Sequence, residues 1–97
     1  MKLNTKADFQ RAGIRVNQNA ATWREDGILY SAFFWKQENG RFQADRFHVV
    51  TPVPLAEEIR LAKSLSMRTN GRVVTSGQGM ARLESVEIKD GRIVGKR

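Results

Sequence analysis

Two runs rich in β-branched and aromatic residues, ILYSAFFWKQ (28–37) and RFQADRFHVVT (41–51), flank a pause at Glu38-Asn39-Gly40. This arrangement constrains the fold more than any other stretch. Asn and Gly both accept positive φ, so Asn-Gly between such runs predicts an antiparallel hairpin closed by a two-residue type I′ turn. That loop pairs Trp35 with Ala44, Phe33 with Arg46 and Ser31 with His48 on one face, and Phe34 with Asp45, Ala32 with Phe47 and Tyr30 with Val49 on the other. The second face, which includes Ile28, is the more continuous apolar set and is the expected core. The first sets Phe33 and Trp35 among Arg46, His48 and Ser31. A three-residue loop would exchange the faces of the second strand relative to the first.

Around this hairpin the chain reads as short elements separated by turn residues. FQRAGIRVN (9–17) suggests a first strand, with Ile14 and Val16 alternating against arginines. QNAATWREDG (18–27) reads as a loop ending in the Asp26-Gly27 turn signal. Pro52 and Pro54 end the hairpin, since neither can donate to a ladder. LAEEIRLAKSL (55–65) then predicts a helix, with Leu55, Ile59 and Ala62 on one face, Leu61 and Leu65 widening it, and Glu57 and Glu58 suiting its N-terminal dipole. Asn70-Gly71 breaks it. Residues 72–97 return to strand character, with a bulge or loop at Gly77 and Gly79 and a tight turn at Asp90-Gly91. The order strand, strand, strand, helix, strand, strand predicts an all-β or α+β domain: a five-stranded barrel like the oligonucleotide/oligosaccharide-binding (OB) fold, with a helix between strands three and four.

Ninety-seven residues suffice for one domain with a single core. No cysteine is present, which excludes disulfides, thiolate metal sites and a cysteine nucleophile. No apolar run approaches the roughly 18 residues of a membrane span, and the polar start MKLNTKADFQ is unlike a secretory signal, so a cytoplasmic protein is expected. Seventeen Lys and Arg outweigh ten Asp and Glu, for a formal net charge of +7. The excess lies in both halves, eight basic against five acidic residues before position 51 and nine against five after it. A folded surface that attracts polyanions is therefore expected, and nucleic acid is the commonest such partner.

Candidates for chemistry are few. His48 is the only histidine, which rules out a multi-histidine metal site, and no nucleophile motif surrounds it. The glycines of TSGQGMAR lack the lysine and the serine or threonine of a phosphate-binding loop. Neither enzyme activity nor a cofactor is expected. Exposed aromatics beside arginines suit single-stranded nucleic acid, because unpaired bases stack on Phe or Trp while arginines meet phosphates. Phe33 and Trp35 are the candidate stacking residues; Arg41, Arg46, Arg72, Arg82 and His48 complete the site. The competing possibility is that both rings pack under the helix or another strand.

DRFHVVTPVPLAEEI (45–59) resembles the middle of bacterial and phage single-stranded DNA-binding proteins through Phe47, His48, Val49 and Val50, then Leu55, Ala56 and Glu57. ILYSAFFWKQ and ARLESVEI extend the similarity over about 70 residues. The two prolines depart from that pattern, and the chain ends at GKR without the family's acidic tail. The resemblance implies an OB fold, single-strand coating in DNA replication, a homodimer or larger oligomer, and a small tail-less member of phage or plasmid type. Two other functions fit the same residues: a basic protein-interaction module, such as a phage-encoded regulator or inhibitor of a host enzyme, and a structured-RNA or duplex binder using charge alone.

Overall fold

The computed structural model of the chain describes residues 2–75 and 86–96, Lys96 through its backbone only. These residues form a mostly β domain; among them are two helices and one open seven-stranded sheet. In chain order the elements are α1 (Lys6–Arg11), β1 (Val16–Asn17), β2 (Ala20–Glu25), β3 (Ile28–Lys36), β4 (Phe42–Val49), α2 (Leu55–Ser66), β5 (Arg72–Val74), β6 (Val86–Lys89) and β7 (Arg92–Lys96). The strands lie side by side in sequence order. All neighbours are antiparallel except β4 and β5, which α2 joins as a parallel pair. The expected five-stranded barrel is thus not what these residues form. The loop expected around Gly77 and Gly79, and Arg82 beside it, lie outside the described residues.

The N-terminal strand expected over 9–17 is replaced by α1 and a two-residue β1. Local chemistry explains the helix. The Thr5 hydroxyl accepts from the Asp8 N–H, and the Asp8 carboxylate accepts from the Thr5 and Asn4 N–H groups at 3.0 Å, a capping box. At the other end Gly13, at φ +79°, donates to Gln10, and Ile14 donates to the Phe9 carbonyl, a Schellman closure. The helix delivers Phe9 to the centre of the core, 5.0 Å from Phe34 and 5.4 Å from Trp23 between ring centroids, both edge-on.

Residues 20–25, expected as loop, form β2 and pair along their whole length with β3. Asp26 and Gly27 both take positive φ in the connecting two-residue turn, and Asp90-Gly91 does the same between β6 and β7. Asn39-Gly40 behaves differently. Gly40 donates to Gln37 and Gln37 donates to Arg41, with only Gly40 at positive φ, so the loop holds three residues. Near the tip Trp35 therefore faces Gln43 and Phe34 faces Ala44. A bulge then inserts Asp45, and from Phe33–Arg46 onward the expected pairs Ala32–Phe47, Ser31–His48 and Tyr30–Val49 are restored. The two one-residue shifts cancel.

Backbone packing surrounds the bulge. Ala44 donates to the Asn4 carbonyl, and a Cβ on Gly71 would lie 2.8 Å from Asp45 Cα, so only glycine lets β5 begin so close to β4. The helix α2 covers β4, β5 and β6 with Glu58, Ala62, Leu65 and Ser66 buried. Its inward stripe is rotated from the expected one, leaving Leu55 exposed. Tyr30, Ala32, Phe34, Phe47 and Val49 are core residues as their face predicted.

Candidate nucleic-acid interface

On the sheet face opposite the core, β3 presents Phe33 and Trp35, 43% and 50% exposed. Both rings fall here because they alternate with buried Ala32 and Phe34 along a strand whose other side carries the core. The Arg46 guanidinium carbon lies 5.6 Å from the Trp35 ring centroid, cation-π range. Phe33 meets the His48 ring edge-on at 6.3 Å. The His48 Nδ1–H donates to the Val74 carbonyl at 3.2 Å, fixing the imidazole against β5. Burial pushes the His48 pKa down from its ordinary value and Arg46 adds to this, while the Val74 hydrogen bond and Glu58 oppose it.

Trp35 and Lys36 border two shallow troughs. One, about 360 Å³, is also lined by Asn19, Phe33, Phe34 and Phe42; the other, about 270 Å³, by Gln37, Asp45, Arg46 and Arg72. The first opens where β2 has ended at Ala20, opposite Phe33, so β3 runs on toward the hairpin tip without β2 beside it. Trp35 thus stands between two depressions, one mainly aromatic and one mainly polar.

Phe33, Trp35, Arg46 and His48 come together as their face predicted. Arg72 sits in the same row, opposite Arg46, but its guanidinium faces Asp45 at 3.3 Å and Glu87 at 3.8 Å. Its charge is largely spent on these neighbours. Arg41 closes the hairpin loop, where its N–H donates to the Asn39 side chain, and it lines neither trough. Four residues were not foreseen at the site: Lys36, Phe42, Lys6 and Asn19. Phe42, 41% exposed, faces Lys36 just beyond the last core pair of the hairpin. Lys6 of α1 reaches across to it, with Nζ 5.1 Å from the Phe42 centroid and bonded to Asn19 Oδ1 at 2.9 Å. A three-residue loop would have revealed the Lys36–Phe42 pair, whereas nothing in the sequence links Lys6 or Asn19 to the hairpin.

Among the described residues no group of three or more His, Asp or Glu could hold a metal, and no helix is long and apolar enough to cross a membrane. Fold and site together define a small β-sheet domain carrying an exposed aromatic and cationic face. Comparison with protein-family models, curated proteins and solved structures yields no match.

Proposed function

We propose that this chain is a non-enzymatic binding domain for single-stranded nucleic acid, ssDNA first, that stacks bases on Trp35 and Phe33 and meets phosphates with Arg46, Lys36 and Lys6. The supporting observation is the half-exposed Trp35 ring between two troughs with a guanidinium beside it. Such a ring accepts any base, because every base offers a π face, and little sequence preference follows. Stacking contributes about 1–3 kcal/mol per base. An open sheet serves this purpose as well as a closed barrel, since both stacking rings stand on one face of it. Homo-oligomeric coating along a strand belongs to the same proposal, as does a role in DNA replication.

Titration of oligo(dT) at several salt concentrations, followed by tryptophan fluorescence, tests it. Saturable quenching with a logarithmic salt slope of about 0.7 per neutralised phosphate supports the proposal. Unchanged fluorescence at low salt refutes it. One observation favours a second function, recognition of another protein: Arg72 is held by two carboxylates, which leaves the face more aromatic than cationic. Aromatic patches flanked by arginine also form protein hot spots. In that case oligo(dT) fails to bind and Trp35 becomes the anchor for a protein partner.

A further inference from the structure

A further concavity lies away from the hairpin tip, on the outer edge of β2. The strand β1 begins at Val16, opposite Ala21, so residues 22–25 of β2 run on past it, and the turn after α1 curls beside them. The resulting open cleft, about 480 Å³, falls in the range typical of small-molecule sites. Leu3, Ile14 and Trp23 supply apolar lining, while Arg15, Arg24 and Arg68 supply charge.

Among the described residues the one acid lining the cleft, Glu25, is already engaged. Both of its oxygens face Arg68 at 3.1 Å, and Oε1 also accepts from Trp23 Nε1 at 2.9 Å. Arg68 keeps further N–H donors beyond that fork. Arg15 and Arg24 are exposed and have no ion pair among the described residues. Three guanidiniums against one carboxylate leave a local charge of +2, over an apolar lining that can hold the body of an organic anion. Guanidinium forks match phosphate oxygens in geometry as well as charge.

We infer that this cleft binds a phosphate group, held by Arg15, Arg24 and the remaining donors of Arg68. Two sources share that chemistry: a small phosphomonoester, or the backbone of a nucleic-acid strand passing along the sheet. The site stands independently of the Trp35 face. Arg24 pairs with Leu29, four residues before Phe33 and six before Trp35, which places the two sites roughly 13–20 Å apart along β3 at about 3.3 Å per residue.

The test uses the full chain carrying Trp35→Phe, which leaves Trp23 as its only tryptophan. Trp23 reports directly, because its indole shares Glu25 with Arg68. Inorganic phosphate, thymidine 5′-monophosphate and unphosphorylated oligo(dT) are titrated separately at constant ionic strength. Saturable change in Trp23 emission, weakened at least tenfold by adding Arg15→Gln and Arg24→Gln, is the expected result. Response to the first two probes assigns a small phosphate ligand; response to oligo(dT) alone assigns a strand. Saturable amide shifts at Gly13, Arg15 and Arg24 in the unsubstituted chain are expected with the same probes, and they do not depend on the variants folding. No saturable response to any probe, or one unaffected by the double substitution, overturns the inference. Trp35 is absent from the fluorescence measurement, so its outcome is separate from that of the proposed stacking face.

Discussion

The two tryptophans occupy opposite environments 12 residues apart in sequence. Trp23 is 7% exposed, stacks on Tyr30 at 5.6 Å, meets Phe9 edge-on at 5.4 Å and donates its indole N–H to Glu25. Trp35 is half exposed, and its ring lies beside the Arg46 guanidinium. The rings around Phe9 satisfy one another and hold the domain together, whereas Trp35 and Phe42 are matched to cations and, with Phe33, remain exposed. Aromatic content alone therefore says little about function; the strand face and its neighbours decide.

The largest test of this contrast is Phe9→Ala. Removing a fully buried ring should cost about 3–5 kcal/mol, read as a lower midpoint in urea with the binding face affected only through unfolding. A stable Phe9→Ala protein would show that the inner cluster is not the core. Gly71→Ala comes next, because its Cβ must displace the Asp45 backbone; overpacking of this kind costs about 1–3 kcal/mol. Since the same backbone carries Arg46, oligo(dT) affinity should fall too, and unchanged affinity would dissociate the bulge from the site.

Trp35→Ala should barely alter the melting temperature yet weaken oligo(dT) by about 1–3 kcal/mol, roughly 5- to 150-fold. A strong loss of stability with no change in binding would put Trp35 with Trp23 as a structural ring. The smallest effect is that of pH. His48 is held below its ordinary value near 6.5, so the unfolded chain binds more protons as pH falls. The contribution to stability is complete above about 6.5 and is lost as pH falls through the depressed folded value. A bound polyanion favours the imidazolium, so oligo(dT) should raise the His48 pKa and bind more tightly as pH drops. NMR titration of the His48 ring with and without oligo(dT) checks the sign.

Much of the molecule was legible in the chain, and the failures have identifiable causes. The α2 boundaries, the two Asp-Gly turns and the separation of Tyr30, Phe34 and Phe47 from Phe33 and Trp35 all follow from local periodicity and turn chemistry. The capping residues of α1 are present in the sequence, but the alternation of Ile14 and Val16 with arginines imitates a strand just beyond them. For β2 the signal is weak, because two alanines and Thr22 surround one tryptophan and its strand state depends on pairing with β3.

By itself, the sequence determined a β-rich domain with one long helix, a strongly basic surface and a hairpin with unequal faces, because periodicity and turn preference act within a few residues. Tertiary structure decided the rest. It chose the three-residue loop, offset it with a bulge at Asp45 wedged against Gly71, engaged Arg72 with Asp45 and Glu87, and brought Lys6 to Phe42. These outcomes depend on contacts between segments far apart in the chain, where packing and charge pairing override any preference that a local pattern can express.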